Sequence, residues 1–443
     1  MKRFLTITAI LLLLPIWGFT EKLSKLPDVF SISYQVKEQL INGEKSFVSR
    51  DQIKTGKPQV DDYINGLAEA YEAEMAPQLK KQSNPRRNSR LDIHIIHSLS
   101  GQSAMSFQVL ARETHNRNQL RSPFQCAAFD MKTGERITLT DLFLPDGEAL
   151  DVIAEEIYGQ LSQYFPAIKA DEAALNALCT HAAILETPFM LGPVCISFHY
   201  EASILYPGKP SLMRVSIPYS AFPGMMTEYG ALQTDNSMYK MVALTFDDGP
   251  AYTNTPSVIN NLRYYGARGT FFIVGDRIAE YEDITLREHD ENHSIQSHHF
   301  KHTDTTKSNV GRIQSYTKQF YEAITNLTGL APIMLRPPYG LDEPFVQAKV
   351  NLPIIQWDVD TKDWTGKTPA AVLSVVKSET KDGSIILMHD IKDNTPEAAK
   401  QTAKWLREHG FLCVTVEELF MHFGQEMIPN RVYYKVEQNE EAL

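Results

Sequence analysis

The chain has 443 residues, of which 43% are hydrophobic and 22% are charged. At roughly 100 to 200 residues per domain, this length predicts two or three domains, and the composition excludes a disordered chain and a polytopic membrane protein. Acidic residues outnumber basic ones by 54 to 43, giving a net charge of −11, so a nucleic acid is not an expected partner.

The N-terminus has the charge pattern of an export segment. Lys2 and Arg3 precede an apolar run over residues 4–19. A basic start followed by a short apolar stretch is typical of a secretory signal. The run is shorter than the roughly 20 residues that a bilayer span needs, yet it lacks an evident A-x-A cleavage site. Residues 1–22 are therefore predicted to be either a signal peptide or an N-terminal membrane anchor, and the protein is predicted to be extracytoplasmic, either secreted or anchored facing the cell wall.

The region 28–225 mixes strand and helix patterns. Polar and apolar residues alternate over residues 29–36 and 91–97, which predicts half-buried strands. Helical spacing over 60–79 and around 147–164 predicts two helices, and further strands are expected near 194–198 and 214–218. These patterns predict an α+β domain, followed by a linker at 226–238 that lacks strong periodicity and contains polar turn formers.

After residue 239, predicted strands alternate with predicted helices. The strands are expected at 241–246, 270–274, 354–359, 384–388 and 411–414, and the helices at 255–265, 308–327, 368–378, 395–409 and 416–423. This alternation predicts an α/β domain over 239–425 with a parallel sheet or barrel, in which catalytic residues gather at the carboxyl ends of the strands. Residues 426–443 are predicted to form a C-terminal tail.

The four cysteines, Cys126, Cys179, Cys195 and Cys413, show no C-x-x-C spacing. This spacing excludes a zinc ribbon and a thioredoxin-type site. They are interpreted as core thiols, with one disulfide among the first three as the alternative for an exported protein.

Two adjacent carboxylates, Asp247 and Asp248, follow the apolar strand pattern of residues 242–246. Neighbouring side chains at a strand end point in different directions, so one carboxylate could bind a metal while the other faces a substrate. A plain turn is the alternative for this D-D-G-P segment.

Four histidines, His293, His298, His299 and His302, fall within ten residues. His298 and His302 are four residues apart, so on a helical turn they would share a face and could hold one ion. With Asp248 they would form a three-ligand site with open positions, which is the catalytic form of a divalent metal centre. A solvated histidine-rich loop is the alternative.

Three further segments follow predicted strands or short apolar runs: a rigid Arg-Pro-Pro-Tyr-Gly turn at 336–340, Asp-Thr-Lys-Asp-Trp at 360–364, and Leu-Met-His-Asp at 387–390. Together with the two earlier motifs, residues 238–423 closely resemble the polysaccharide deacetylases of carbohydrate esterase family 4. In that family the first motif, T-F-D-D-G-P, supplies a base and a metal ligand, which implies these roles for Asp247 and Asp248. The second motif aligns the metal-binding pair with His298 and His302.

The remaining motifs imply further roles by resemblance. Arg336 would orient the base, and the backbone N–H of Tyr339 would contribute to the oxyanion hole. In the fourth motif, D-x-x-D-W, Asp363 would tune the catalytic histidine and Trp364 would form a wall of the groove. The fifth motif places Leu387 in the acetyl pocket and makes His389 the general acid. The expected site therefore comprises the catalytic residues Asp247, His389, Arg336, Asp363 and Tyr339, the substrate-binding residues Trp364, Leu387 and Tyr339, and the metal-binding residues Asp248, His298 and His302.

The second motif departs from the family pattern. His299 replaces the usual Ser or Thr, Lys301 replaces a common Ser, and residues 296–297 are Gln-Ser rather than Gly-Asn. The alignment makes His293 a framework residue. Loss of a hydroxyl could remove a hydrogen bond within the loop and alter the metal preference, while both ligating imidazoles are retained.

The resemblance implies a distorted (β/α) barrel and metal-dependent removal of acetyl groups from amino sugars of a cell-wall polysaccharide, foremost peptidoglycan. One divalent ion is implied, with zinc expected and cobalt, manganese or nickel as alternatives. The N-terminal region, in residues 127–143, 196–200 and 215–220, more loosely resembles the accessory domain that precedes the catalytic domain in some Gram-positive wall deacetylases. The alternatives are a chitooligosaccharide deacetylase, an acetylxylan esterase and a non-catalytic glycan-binding protein. The expected partner is the glycan substrate, and no protein partner is predicted.

Overall fold

The structure is a computed structural model that describes residues 22–41, 46–81 and 89–437. The predicted signal peptide or anchor lies outside the described residues except for Lys22, and so do the last six residues of the predicted tail. Within these described ranges, no helix combines the length and apolar content that crossing a bilayer requires.

The N-terminal region contains both strands and helices, as predicted. Its strands are β1 Ser33–Ile41, β2 Ser46–Lys54, β3 Ser89–Ser100, β4 Ala104–His115, β5 Asn118–Arg121, β6 Phe124–Asp130, β7 Arg136–Ile137, β8 Phe189–Leu191, β9 Cys195–Glu201 and β10 Leu212–Pro218. Its helices are α1 Pro58–Lys81, α2 Leu139–Leu142, α3 Glu148–Leu161, α4 Glu172–Leu178, α5 His181–Glu186 and α6 Glu228–Thr234.

The larger N-terminal sheet has the order β1-β2-β3-β4-β6-β7, with β5 paired to β4. Helix α1 contacts β2, β3 and β4. Its apolar residues recur at helical spacing and are buried in one core with these strands; they include Val60, Ile64, Ala68, Met75 and Leu79. A second core forms where α3 packs against the smaller antiparallel sheet β10-β9-β8.

The C-terminal region alternates strands and helices. Its strands are β11 Lys240–Asp247, β12 Gly269–Ile273, β13 Ser294–Ser297, β14 Ile354–Ile355, β15 Val359–Asp360, β16 Ile385–His389, β17 Phe411–Val414 and β18 Val432–Tyr433. Its helices are α7 Asn254–Tyr264, α8 Glu282–Asp290, α9 Val310–Thr328, α10 Glu343–Ala348, α11 Pro369–Glu379, α12 Thr395–Glu408 and α13 Val416–His422.

The C-terminal sheet has the order β13-β12-β11-β16-β15, and β17 also pairs with β11. All of these pairs are parallel. The carboxyl ends of the strands therefore meet at one edge. Single bridges join Leu335 to Ser297 on one side and to Ile354 on the other.

The two regions share a buried contact that contains charged groups. In the N-terminal region, Asp51 and His94 lie on β2 and β3; in the C-terminal region, Arg263 lies on α7 and Glu291 follows α8. Arg263 Nε lies 3.0 Å from Asp51 Oδ2, and its Nη1 lies 2.8 Å from Glu291 Oε2. The His94 imidazole stands between the same two carboxylates, 3.6 Å from Asp51 and 3.8 Å from Glu291. All four side chains are buried, so the charges are compensated across the interface rather than by water.

The predicted linker and the described part of the predicted tail contain regular secondary structure. Residues 226–238 include α6, whose preceding residue Thr227 caps its first turn by accepting a hydrogen bond from the Gly230 N–H. Residues 426–437 include β18, which pairs with β14. The domain boundaries at these two segments remain predictions. All four cysteines are free thiols; Cys179 is partly buried and the other three are buried.

Candidate active site at the carboxyl edge of the parallel sheet

Side chains from several motifs meet at the carboxyl edge of the C-terminal sheet. Asp247 ends β11 and His389 ends β16, and the two residues are aligned partners in adjacent parallel strands. His298 directly follows the last residue of β13, and Arg336 follows the bridge residue Leu335. Residues separated by more than a hundred positions in sequence therefore lie in one place.

Asp248, His298 and His302 each place one potential ligand atom in a cluster beside this edge. Asp248 Oδ1 lies 3.3 Å from His298 Nε2 and 3.2 Å from His302 Nε2. The Asp248 backbone has a φ of 76°, in the left-handed region that non-glycine residues rarely adopt. One ligand atom from each of the three residues lies within 4.8 Å of the others, so a single ion could contact all three.

The chemistry of these atoms fits a divalent cation. The Nδ1 atom of His298 lies 2.9 Å from the Arg336 carbonyl, which can only accept, so Nδ1 carries a proton and a neutral His298 presents its Nε2 lone pair to Asp248. Asp248 Oδ1 is buried and has no hydrogen-bond partner among the described residues. The Nε2 lone pair of His298 and the unpartnered carboxylate oxygen of Asp248 both favour a cation between the three atoms.

The helical-turn interpretation of this histidine pair was wrong, although the pair itself comes together. Residues 298–302 form no helix in the structure; the segment leaves β13 as a loop in which His299 has a φ of 67°. The left-handed residue reverses the chain, so His298 and His302 approach each other from two arms of a bend rather than from successive turns of a helix.

The other two histidines of the motif point elsewhere. His299 Nε2 lies 3.2 Å from the Ile313 carbonyl, and its ring packs edge-on against Phe345. His293 Nδ1 accepts a hydrogen bond from the Gly269 N–H at 3.0 Å. Burial lowers the pKa of His299 to about 4 and that of His293 to about 3, so both imidazoles are neutral near pH 7.

Arg336 fixes the position of the Asp247 carboxylate by hydrogen bonding. Its Nη1 donates to Asp247 Oδ1 at 2.8 Å and to the Thr245 hydroxyl at 2.7 Å. Its Nε and Nη2 donate to the carbonyls of Ile355 and Gln356, at 3.0 and 2.9 Å. The fully buried guanidinium is thus fixed on several sides, and it holds one carboxylate oxygen of Asp247 while leaving the other available. Thr245 was not among the predicted site residues.

The buried Asp363 and the partly buried His389 form a second pair at the edge. Asp363 Oδ1 lies 2.8 Å from His389 Nδ1, and Asp363 Oδ2 accepts from the His389 N–H at 2.7 Å. The Thr395 hydroxyl also donates to Asp363 Oδ2 at 2.6 Å. Burial lowers the pKa of His389, but the hydrogen bond to Asp363 and the nearby carboxylates outweigh burial, so that pKa lies above its usual value. The arrangement keeps a proton on His389 and directs its Nε2 away from Asp363.

Replacing Asp363 by asparagine is expected to move the alkaline limb of the pH–activity profile to lower pH. His389 must be protonated to act as an acid, so activity falls as the pH rises through its pKa. The amide removes the negative charge that raises this pKa. Measurement of kcat/KM against pH tests the expectation, with Asp382→Asn as control because Asp382 binds the Met241 N–H at the opposite end of β11. An unchanged alkaline midpoint in the Asp363 variant would contradict it.

The predicted substrate-binding residues occupy different depths. Tyr339 is 63% exposed and Trp364 is 53% exposed, each within a short 3₁₀ turn that overlaps the end of its motif. The Tyr339 ring packs edge-on against His302 at 4.4 Å between centroids, and its backbone φ is 61°. Leu387 is buried within β16, where its carbonyl accepts from the Thr361 hydroxyl at 2.7 Å. The two aromatic side chains are therefore exposed, whereas Leu387 is buried in the sheet.

Asp390 is a buried acidic residue of the site to which the sequence assigned no role. Its Oδ2 accepts from the Thr255 hydroxyl, which in turn accepts from the Ala251 N–H at 2.7 Å. Its Oδ1 is buried without a hydrogen-bond partner in the described ranges. Burial and the neighbouring Asp248 raise the pKa of Asp390 to about 7, although the Thr255 hydrogen bond opposes this shift. Asp390 therefore supports the loop that follows Asp248, and its raised pKa favours the protonated form below about pH 7.

Asp390→Asn is expected to stabilise the metal-free protein progressively as the pH rises from about 4 to 7. Because the pKa of Asp390 is higher in the folded than in the unfolded protein, the unfolded state ionises first as the pH rises. The contribution of Asp390 to the wild-type free energy of unfolding is therefore complete at low pH and is lost as the pH rises to the folded-state pKa. Asparagine stays neutral and avoids that loss. Thermal unfolding of chelator-treated wild type and variant at several pH values measures the difference. A difference in Tm that does not change with pH would contradict the expected ionisation.

Comparison with known proteins places this site in a family. A model of the polysaccharide deacetylase family matches residues 234–352. A peptidoglycan-N-acetylglucosamine deacetylase of Bacillus cereus is 31% identical over 194 residues, which cover 41% of this chain and 89% of that protein. The chain belongs to the polysaccharide deacetylase family. The family resemblance of the sequence motifs is thereby confirmed.

Other proteins are similar to part of this chain. PgdA of Listeria monocytogenes, a peptidoglycan-N-acetylglucosamine deacetylase, is 34% identical over 195 residues, covering 44% of this chain and 41% of the relative. The chain thus spans about two fifths of the length of that relative. The structure of the peptidoglycan deacetylase PdaC from Bacillus subtilis is 30% identical and covers 41% of this chain and 90% of that one, with a TM-score of 0.40.

Proposed function

We propose that the protein is a metal-dependent N-deacetylase that removes acetyl groups from amino sugars of cell-wall peptidoglycan. The observation that carries the proposal is the alignment of Asp247 and His389 on adjacent strands beside the cluster of Asp248, His298 and His302. Amide hydrolysis needs one group to accept a proton from water and another to deliver a proton to the leaving amine. Similarity to relatives named peptidoglycan-N-acetylglucosamine deacetylases supports the substrate.

Asp248, His298 and His302 would hold the divalent ion. When bound, such an ion lowers the pKa of a coordinated water and polarises a carbonyl oxygen. Imidazole and carboxylate donors suit zinc, the metal we propose, and also cobalt, manganese and nickel.

Asp247 would be the general base and His389 the general acid. The buried Arg336 fixes one oxygen of Asp247, which leaves Oδ2 to accept the proton of the attacking water. Asp363 holds Nδ1 of His389, so Nε2 would donate to the leaving nitrogen. The backbone N–H of Tyr339, in a left-handed conformation, would stabilise the oxyanion, while Trp364 would flank the sugar and Leu387 the acetyl methyl group.

We also propose that the C-terminal region closes as a distorted barrel and that residues 28–225 form a separate accessory domain. The bridges from Leu335 to β13 and β14, together with the direct continuation from β14 to β15, support closure. Because peptidoglycan lies outside the cytoplasmic membrane, the proposed site of action is extracytoplasmic, whether the protein is secreted or anchored.

Acetate release tests the proposal and its alternatives. The metal-loaded protein is incubated with intact peptidoglycan, chitin oligomers and acetylxylan, before and after chelation. We expect metal-dependent release that is fastest from peptidoglycan. Faster release from chitin oligomers or acetylxylan would replace the proposed substrate by one of those two. Glycan binding without acetate release under any metal condition would indicate a non-catalytic glycan-binding protein instead.

A further inference from the structure

A cleft of about 840 Å³ lies between the two regions and outside the proposed catalytic site. One wall comes from the N-terminal sheet, where β2, β3 and β4 contribute neighbouring residues. The opposite wall comes from the segment that follows the Asp248 loop and from α7 and α8. The charged residues that line it are four arginines and two aspartates: Arg90, Arg112, Arg117, Arg287, Asp92 and Asp283.

Arg112 is the unusual member of this set because it is buried without an ionic partner. Its Nε donates to Gln119 Oε1 at 2.6 Å, and its Nη2 donates to the Asp283 backbone carbonyl. Both acceptors are neutral. Its cross-strand partner Asp92 is paired with Arg90 instead, at 2.5 Å from Arg90 Nε. In the described part of the chain, no carboxylate oxygen lies within 4 Å of the Arg112 guanidinium, whereas the other three arginines of the cleft each have one.

A second positive charge lies close to Arg112. Arg287 is also buried, and its ionic partner Glu291 is shared with Arg263. Burial and the charge of Arg287 lower the pKa of Arg112, and the carboxylates of Asp290, Asp92 and Asp283, none of them in contact with the guanidinium, only partly offset this shift. A buried guanidinium without a carboxylate in contact is costly, so an anion bound in the cleft would supply the missing contact.

Aromatic rings extend the same cleft towards the catalytic edge. Arg90 stacks over Phe47 at 4.6 Å, and Arg117 stacks over Tyr252 at 4.9 Å from the ring centroid. Tyr252 is exposed and lies four residues after the metal-ligand candidate Asp248. A polymer chain could therefore extend from the catalytic edge across Tyr252 to the arginines of the N-terminal sheet.

We propose that this cleft is an oxyanion-binding subsite for the wall polymer, taking a carboxylate of a stem peptide or a phosphodiester of an attached polymer. Arg112 supplies the unpaired charge, and Arg90 and Arg117 supply donors at the mouth. The N-terminal region thus takes part in substrate binding and holds an anionic wall polymer across the catalytic edge. The inference rests on the proposed function, because it names the charged part of the same substrate.

Binding is measured in the Asp247→Asn background, so that substrate is not consumed. The probes are peptidoglycan fragments with free stem-peptide carboxylates, the same fragments after amidation, poly(glycerol phosphate) and a neutral chitin tetramer. Isothermal titration calorimetry gives Kd for each. Arg112→Gln and Arg90→Gln are compared with Arg136→Gln, a matched control in which the arginine also stacks on an aromatic ring, Tyr63, away from the cleft.

We expect Arg112→Gln and Arg90→Gln to raise the Kd of an anionic probe about tenfold. The control Arg136→Gln should bind that probe with unchanged Kd, and all variants should bind the chitin tetramer with unchanged Kd. The anionic probe that shows this loss identifies the source of the oxyanion. Two results would overturn the proposed subsite. One is equal affinity for native and amidated fragments together with no binding of poly(glycerol phosphate). The other is unchanged binding of the anionic probes by Arg112→Gln and Arg90→Gln, as in the control Arg136→Gln. Circular dichroism checks the folding of each variant. Because Arg90 is exposed, Arg90→Gln still tests the subsite if Arg112→Gln misfolds. Failure of the proposed function would appear separately, as absence of acetate release by the wild type.

Discussion

Asp247→Asn is expected to lower turnover by about 10²- to 10⁴-fold while leaving the metal bound. The amide is nearly isosteric but cannot accept the proton of the attacking water. The three atoms that could hold the ion belong to Asp248, His298 and His302, so the substitution removes no ligand. Steady-state acetate release and metal content of the purified variant test both parts of the expectation.

The control for this variant is Asp382→Asn, which removes a carboxylate that binds the other end of the same strand. It should retain near-wild-type turnover. Near-wild-type activity in Asp247→Asn would exclude Asp247 as the base. Loss of metal from Asp247→Asn would instead mean that its carboxylate belongs to the ion's ligands, against the geometry described above.

His302→Ala and His298→Ala are expected to lose the metal and with it almost all activity. Each substitution leaves two of the three candidate ligand atoms, and a two-ligand site of this kind holds a divalent ion much more weakly. His302 is the cleaner test because it is partly exposed, whereas His298 is buried and also bonds to the Arg336 carbonyl. Metal stoichiometry after dialysis and acetate release are the two measurements.

Two histidines of the same motif provide matched controls. His293 and His299 are buried and bond to the backbone away from the cluster, so their alanine variants should keep the metal when they fold. Thermal unfolding separates lost folding from lost binding. Retention of metal in His302→Ala together with its loss in folded His299→Ala would overturn the ligand assignment.

The residues that meet at the site could be anticipated from motifs, but their geometry could not. The spacing of His298 and His302 suggested a helical turn, whereas the structure brings them together through a bend at His299. Sequence spacing cannot distinguish the two because both place residues four apart near each other. The position of Asp390 was visible after His389, but its buried environment depends on Thr255, which is 135 positions away.

The N-terminal fold shows a similar limit. Strand β4 was not predicted. Ser106, Gln108 and Arg112 have apolar neighbours in the strand, and the polar and the apolar side chains are all buried, so the strand is not half-buried. The sheet lies between α1 and other parts of the protein: Gln108 accepts from the Asn292 side chain at 2.7 Å, across the contact between the regions. Polar residues with distant partners follow tertiary structure rather than local periodicity.

The buried charges shared by Asp51, His94, Arg263 and Glu291 bear on how freely the two regions can be exchanged between family members. A chimera that fused this C-terminal region to a different accessory domain would leave Arg263 and Glu291 facing whatever side chains the new partner supplied. Without a carboxylate in the place of Asp51, the buried guanidinium would lose one of its two counter-ions. Modular recombination of this chain therefore requires matching residues at this contact, and transfer of β2 together with β3 would preserve Asp51 and His94 as a unit.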